Sequence, residues 1–158
     1  MTVKEKFLDL LKRYVNSHSI YLWGAQGEQV KKLTAETIRK METSAANASR
    51  VLRRIELLKE MKWITGKTRA FDCSGLVCYC LFHSGREPEI DITADSLFTR
   101  YPHTTQLTEG CLLHRSGHIA AYIGLNYLIE SKGRDYGVVI SPYYAKEWDS
   151  EFANPFAA

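Results

Sequence analysis

The 158-residue sequence has no long apolar run, no C-x-x-C cysteine pair and no internal repeats, and these absences exclude several classes of protein. No apolar stretch approaches the ~18 residues that a membrane-spanning helix needs, so no membrane span is predicted. The four cysteines show no C-x-x-C spacing, which argues against a redox motif or a disulfide framework. With five scattered histidines they offer no zinc-ligand cluster, so no zinc site is expected.

The first fifteen residues, MTVKEKFLDLLKRYV, also lack the uninterrupted apolar core of a signal peptide. Charges are scattered through them, which favours an amphipathic helix. We therefore expect synthesis in the cytoplasm without a classical leader. Any action outside the cytoplasm would then need lysis, a dedicated secretion machine or a lost leader.

Glycine and proline are absent between Glu28 and Thr65. Apolar residues recur there at steps of three and four, the spacing of one helix face. The patch TSAANAS at the centre is rich in residue types that cap helices, which favours two antiparallel helices with a hinge near residues 44–47. One long helix is the alternative, because the periodicity continues through the patch.

Other helices are predicted at 3–15, at 72–85 and at 91–102, and the pattern changes after Gly110. Four short segments rich in Val, Ile and Tyr then predict consecutive antiparallel strands: CLLHR, HIAAYIG, YLIES and GVVIS. Helices followed by a strand meander define an α+β class. The length suits one domain over residues 1–158, and the tail EFANPFAA is expected to be loose.

Cys73 lies at the predicted start of a helix, in the run RAFDCSGLVCYCLF. Asp72 is a strong N-cap type, and the unpaired N–H groups of a first helical turn favour a thiolate. Gly75 removes a side chain, which lets another backbone or a substrate approach closely. Cys73 is therefore a candidate nucleophile, and its alternative is a small buried apolar residue like Cys78 and Cys80.

His118 is the histidine with a distinctive setting, because it opens the strand HIAAYIG directly after Ser116-Gly117. Taken alone, a histidine at a strand end is more often a satisfied surface group than a catalyst. Together, however, FDCSGLV and GHIAAYIG resemble the NlpC/P60 family of papain-like cysteine peptidases. The upstream YLWGAQG is similar to the Tyr-x-Trp-Gly-Gly element of that family, with Ala25 in place of the second glycine.

The resemblance implies a papain-like fold with N-terminal helices packed on an antiparallel sheet. It also implies a catalytic pair, Cys73 and His118, with a third polar residue that orients the imidazole, and this chemistry requires no metal or cofactor. The third position is often another histidine, and here it is Glu130. A carboxylate could accept the Nδ1–H, as the third member of other triads does. Candidate substrate-binding or oxyanion residues are Tyr21, Asp72 and Ser74.

The role of Glu130 depends on the hairpin that follows His118. A three-residue loop, 124–126, would pair Ala120 with Glu130 and place Glu130 on the face of His118. A two-residue loop, 125–126, would send Glu130 to the opposite face. The alternative role for Glu130 is a solvated charge at a strand end. Another departure from the family pattern is Cys111, which replaces an aspartate and is expected to be a core thiol.

The segment 28–69 separates the tyrosine element from the cysteine, where typical members of the family have only a few residues. Eleven of the 21 Lys and Arg residues but only five of the 18 Asp and Glu residues lie between residues 27 and 70. The expectations for this basic helical insertion are, in order, a structural hairpin, a docking arm for an anionic surface such as a cell-wall polymer, and a homo-oligomer interface. Nucleic acid is not expected, because no recognition motif accompanies the charge.

By resemblance, the protein is predicted to hydrolyse an amide bond in peptidoglycan stem peptides, between D-γ-glutamyl and a diamino acid, at the bacterial cell wall. A phage or prophage lysin, or a delivered effector, would suit the missing leader. The alternatives are a papain-like amidase or acyltransferase with another substrate, and a non-catalytic wall-binding or structural module.

Overall fold

The computed structural model describes residues 1–158 as five α-helices and nine β-strands. The helices are α1 (Val3–Asn16), α2 (Ala35–Met41), α3 (Ala45–Glu60), α4 (Cys73–Ser84) and α5 (Ala94–Arg100). The strands are β1 (Ile20–Tyr21), β2 (Gln26–Gln29), β3 (Arg69–Phe71), β4 (His103–Thr104), β5 (Leu112–Arg115), β6 (His118–Gly124), β7 (Tyr127–Ser131), β8 (Val138–Pro142) and β9 (Phe152–Ala153).

The main sheet is antiparallel throughout, with strand order β4-β9-β5-β6-β7-β8. Its alternating side chains separate into two apolar faces, as the two-residue repeat of a strand requires. One face, with Ile119, Ala121 and Ile129, joins α1 and α4 in a core of 19 buried residues. The other face, with Ala120 and Leu128, is covered from the C-terminal side by residues that include Trp148. The predicted α+β class is confirmed.

The C-terminal tail is ordered, so the expectation that it is loose was wrong. Strand β9 lies between β4 and β5, with Leu112 paired to Ala153. Phe156 then packs against Phe7 of α1, with ring centroids 5.4 Å apart. The short tail has two apolar anchors and a strand edge to pair with, and these interactions offset its loss of conformational entropy.

A second, three-stranded sheet places the tyrosine element beside the cysteine. Its strand order is β1-β3-β2, and β1 pairs in parallel with β3. Tyr21 is thereby opposite Phe71, two residues before Cys73. The parallel pairing requires a long connection between the two strands, and the segment that contains α2 and α3 supplies it.

The segment between these strands forms two helices, which confirms the two-helix alternative. The break falls at residues 42–44, slightly before the hinge predicted at 44–47, because residues 45–47 already belong to α3. The hydroxyl of Ser44 caps α3 by accepting the N–H of Asn47 at 3.1 Å. Both helices bury one apolar face in a cluster with β1 and β3 that includes Ile38, Val51 and Leu58. The break lies where Glu42 leaves helical geometry for an extended conformation and where Ser44 satisfies an N–H group of the next helix.

Helix α4 begins and ends where its sequence predicts. The Asp72 carboxylate accepts the N–H of Gly75 at 2.6 Å, and Gly85 adopts the left-handed conformation, with φ of 89°, that commonly terminates a helix. Close packing at Gly75 is also confirmed, because a Cβ there would collide with the carbonyl oxygen of Ala25. That carbonyl accepts the N–H of Asp72 at 3.2 Å, so moving it away from Gly75 would disturb this hydrogen bond.

Replacing Gly75 with alanine is therefore expected to destabilise the fold by about 1–3 kcal/mol or more, because overpacking against backbone is not relieved by a rotamer change. Thermal unfolding followed by circular dichroism measures the effect. Gly66→Ala is the matched control, since a Cβ at Gly66 would have no heavy atom within 4 Å. Equal midpoints for the two variants would contradict the close approach.

No helix of the chain combines the length and the apolar character needed to cross a bilayer.

Candidate active site

Cys73 occupies the first position of α4, and its surroundings come from two distant parts of the chain. Its Sγ lies 3.7 Å from the carbonyl oxygen of Gly117, the residue before His118. Asp72 also holds the N-terminus of α4 in place, because its second carboxylate oxygen accepts the N–H of Gly24 at 3.0 Å. The sulfur is half-buried, whereas the three other thiols are buried, which confirms Cys78, Cys80 and Cys111 as core residues.

The thiol of Cys73 is not the low-pKa group that a helix N-terminus predicts. Burial, followed by the adjacent Asp72 carboxylate, raises the pKa of Cys73 above its usual value of 9.0. Backbone N–H groups of Ile119 and Ser74 favour the thiolate but do not outweigh burial. The resting group is therefore a thiol, and nucleophilic attack requires a base that accepts its proton.

This pKa leads to a labelling prediction. Iodoacetamide should modify Cys73 alone in the folded protein, and the rate should keep rising as the pH increases through 9, because the thiolate fraction grows with pH. Mass spectrometry of labelled peptides gives the site and the rate. A fast reaction that does not change between about pH 6 and 8 would instead indicate a thiolate already formed near neutrality, and would contradict the raised pKa.

His118 is hydrogen-bonded to Glu130, with 2.8 Å between Nε2 and Oε1. The sequence-based expectation assigned this contact to Nδ1, and that assignment was wrong. With Nε2 occupied by the carboxylate, Nδ1 is the ring nitrogen that remains free for another partner. The imidazole also stacks on Trp148, at 5.7 Å between ring centroids, so its orientation is fixed from two sides.

A β-bulge explains why Glu130 faces His118 although the hairpin loop between their strands has only two residues. The loop has two residues, Leu125 and Asn126, both with positive φ, as a type I′ hairpin requires. Such a loop was expected to send Glu130 to the opposite face. The register shifts by one residue between Tyr122 and Gly124, and this bulge restores the pairing of Ala121 with Ile129. Extended by one residue, this register sets Glu130 opposite Ala120 and on the face of His118, in agreement with the contact between the two side chains.

Glu130 is an ionised carboxylate in a buried position. Burial alone would raise its pKa, but hydrogen bonds from His118 and Ser141 outweigh it and hold the pKa below the usual value of 4.5. The side chain is only 6% exposed. A buried carboxylate that keeps its charge stabilises positive charge on its imidazole partner.

Cys73 and His118 line the same cleft, which has a volume of about 620 Å³. Tyr21 lines this cleft as well. Burial, then proximity to Cys73 and Asp72, raises the pKa of Tyr21 to about 12, so its hydroxyl stays protonated and can donate a hydrogen bond. Ser74 also lines the cleft, and its hydroxyl donates to Asp72 at 3.3 Å.

The predicted site residues therefore surround one cleft, except that Glu130 lies behind His118 and does not line it. The lining of the cleft carries charges of both signs. Asp91 and Asp95 come from the start of α5 and the residues before it, and Lys132 and Arg134 come from the loop after β7, which is the basic wall of the cleft. Asp91 accepts a hydrogen bond from the side chain of Gln26 at 2.7 Å. No group of three or more His, Cys, Asp or Glu side chains is arranged to hold a metal ion.

Sequence reasoning missed a second histidine cluster beside the cleft. The two ring nitrogens of His114 contact Asp95 and Asp149, each at 2.6 Å, and the ring stacks on Phe98. Asp95 also accepts the N–H of Gly117 at 3.1 Å. The cluster thus supports the turn that carries Gly117 towards Cys73. Its partners lie 19 and 35 residues from His114, and no local pattern signals them.

Sequence reasoning also missed a buried ion pair that connects the segment 28–69 to the cleft. Arg134 donates from Nε and Nη2 to the Glu42 carboxylate, at 3.0 and 2.7 Å. Its guanidinium lies 5.2 Å from the ring centroid of Tyr21. Glu42 and Arg134 are 92 residues apart, and the sequence distinguishes Glu42 only as one of few acidic residues in a basic segment.

Solved structures of several mycobacterial proteins have similar folds. The P60 domain of antigen MAP1204 from M. avium subspecies paratuberculosis superposes with a TM-score of 0.62 at 17% identity, over 99% of this chain and 96% of that one. The peptidoglycan hydrolase RipB from Mycobacterium tuberculosis gives 0.51 at 19%, over 99% and 84%.

RipD from Mycobacterium tuberculosis, a non-catalytic NlpC/p60 domain protein, gives a TM-score of 0.60 at 16% identity, over 98% of each chain. At these identities the likeness shows the fold alone. Comparison with curated protein sequences yields no significant match.

The family model described as "NlpC/P60 family" matches residues 59–156, which is more than half of the chain. The matched region contains the helix that begins at Cys73 and the strands that carry His118 and Glu130. With the fold and this match in agreement, the chain belongs to the NlpC/P60 family.

Proposed function

We propose that the protein is a cysteine peptidase that hydrolyses an amide bond in peptidoglycan stem peptides. The observation that carries the proposal is the arrangement of one cleft. A half-buried thiol contacts the residue next to His118, and His118 is held through Nε2 by the ionised Glu130. A nucleophile, a base beside it and a carboxylate that orients the base are the components of a catalytic triad.

In the proposed reaction, Nδ1 of His118 accepts the proton of the Cys73 thiol as Sγ attacks the substrate carbonyl. The resulting imidazolium is stabilised by Glu130. It then gives the proton to the departing amine nitrogen, the carbon–nitrogen bond breaks, and the acyl group remains on Sγ as a thioester. A water molecule, deprotonated by His118, attacks the thioester, releases the acid and regenerates the thiol.

The oxyanion is proposed to be stabilised at the N-terminus of α4. The N–H of Cys73 lies in the first turn of α4, where helix geometry supplies no carbonyl partner. The protonated hydroxyl of Tyr21 is a second donor at the same cleft. Asp72 and Ser74 also line the cleft, and the carboxylate of Asp72 fixes the helix start through Gly75 and Gly24.

The substrate bond is proposed to be the one between D-γ-glutamyl and a diamino acid, in keeping with the family resemblance of the cysteine and histidine elements. Action is proposed at the bacterial cell wall. We further propose a single domain over residues 1–158, with the segment 28–69 as an insertion, because α3 packs against β1 and shares an apolar cluster with β3.

Purified peptidoglycan digested with the protein tests this proposal through mass spectrometry of the released fragments. The expected product carries a new free amine at the diamino acid. An acyl adduct of that amine would instead indicate an acyltransferase. Binding to the wall without release of any fragment would indicate a non-catalytic module.

A further inference from the structure

Glu42 connects the segment 28–69 to the substrate cleft. It lies at the end of α2, in the break before α3, and its side chain is completely buried. Its carboxylate accepts the N–H of Trp23 at 3.1 Å, the N–H of Thr43 at 3.2 Å and two N–H groups of Arg134. A buried carboxylate with this many donors is a fixed group, and it fixes the donors in turn.

The partners of Glu42 belong to the cleft. Trp23 and Arg134 both line it, together with Cys73 and His118. Arg134 is 15% exposed in its side chain and lies over the ring of Tyr21, which in turn neighbours Cys73. The guanidinium is therefore held between the segment 28–69 and the proposed nucleophile.

The loop that carries Arg134 is clamped at two further points by α3. Arg50 donates to both carboxylate oxygens of Asp135, at 3.1 and 2.7 Å, and Arg54 donates to the carbonyl of Tyr136 at 3.4 Å. Three side chains of the segment thus hold three consecutive residues of this loop, of which Arg134 lines the cleft. The segment therefore positions a cleft residue in addition to packing on the domain.

Arg134 retains hydrogen-bonding capacity that its partners do not use. Glu42 occupies the edge formed by Nε and Nη2, and Nη1 donates to no protein atom. Lys132 lines the same wall and makes no ion pair, its ammonium lying 4.7 Å from the ring centroid of Tyr136. Two cations with one carboxylate between them leave this wall with one unmatched positive charge.

We propose that Arg134, held in place by Glu42, is a specificity-determining residue that binds a free carboxylate of the substrate beside the scissile amide. The inference rests on the proposed function, because a γ-linked glutamyl residue keeps its α-carboxylate free close to the bond that is cut. The segment 28–69 is then a fixed part of the substrate site.

Two synthetic stem peptides test the proposal, one with the free α-carboxylate on the γ-linked glutamyl residue and one with an α-carboxamide. Wild-type protein should cleave the acid with a kcat/KM roughly 10–100-fold above that of the amide, the range of a hydrogen bond to a charged group. Arg134→Gln should lower this preference to near one, with the loss mainly in KM.

Two more variants separate binding from folding. Glu42→Gln/Arg134→Gln removes both charges, leaves no unpaired buried carboxylate, and should fold and show no preference. Arg39→Gln removes an exposed positive charge from the same segment and should keep the wild-type preference. Equal cleavage of the two peptides by wild type, or a preference that persists in Arg134→Gln, would overturn the proposal.

Failure of the carboxylate site is distinguished from failure of the proposed hydrolase function by a binding experiment. The binding of both peptides to Cys73→Ala protein is measured by calorimetry. If wild type cleaves neither peptide but the acid still binds roughly 10-fold tighter in an Arg134-dependent way, the carboxylate site stands and the hydrolase proposal fails. If neither peptide is cleaved and the two bind equally, both proposals are wrong.

Discussion

Replacing Cys73 with alanine is expected to slow the clearing of purified cell walls by roughly 10⁴-fold or more, because removal of a nucleophile leaves only the contributions of binding and oxyanion stabilisation. The fold should persist, since the sulfur is only half-buried and α4 is capped by Asp72, not by Cys73. Turbidity at equal protein concentration measures the rate, and circular dichroism confirms folding.

Cys111→Ala is the control for the loss of a thiol. Cys111 is buried in the apolar cluster on the far face of the sheet, so its replacement should alter stability slightly and leave the clearing rate near that of wild type. Wild-type clearing by Cys73→Ala would mean that no cysteine catalysis occurs. Loss of clearing in both variants would point to folding instead of chemistry.

Replacing Glu130 with glutamine is expected to lower kcat roughly 10²–10⁴-fold, because a neutral amide no longer stabilises the imidazolium and can hold His118 in the wrong tautomer. KM should change little, since Glu130 lies behind His118 and away from the cleft. Steady-state kinetics on a defined stem peptide gives both constants. Glu89→Gln, an exposed position without a polar contact, is the matched control and should match wild type.

The same variant has a pH-dependent effect on stability. The pKa of Glu130 is lower in the folded protein than the usual value of 4.5, so its stabilising contribution is present above that value and is lost as the pH falls through the folded-state pKa. The difference in unfolding free energy between wild type and Glu130→Gln should therefore be largest near neutral pH and shrink in acid. A difference that grows on acidification would contradict the lowered pKa.

Features that depend on neighbouring residues could be predicted from the sequence. Asp72 and Gly85 define α4 because capping is a local hydrogen-bonding event. The break before Ser44 follows from the same chemistry. The strand meander after Gly110 was predictable because alternation and turn residues act over a few positions. Cys73 and His118 were identified through motifs of this local kind.

Features that depend on distant pairing could not be predicted. The Glu42–Arg134 pair joins residues 92 apart. Strand β9 is defined by its pairing with β4 and β5, which lie far from it in the sequence. The bulge near Tyr122 changed the consequence of the two-residue turn, since turn length alone does not determine register. The raised pKa of Cys73 depends on burial, which the helix position does not reveal.

Digestion of one defined stem peptide, L-alanyl-γ-D-glutamyl-diamino acid, tests the central claim most directly. Mass spectrometry after incubation with wild-type protein should show two fragments, with the new amine on the diamino acid and one water added across the bond, and Cys73→Ala should leave the peptide intact. An intact peptide after incubation with folded wild-type protein, or equal cleavage by both proteins, would contradict the account.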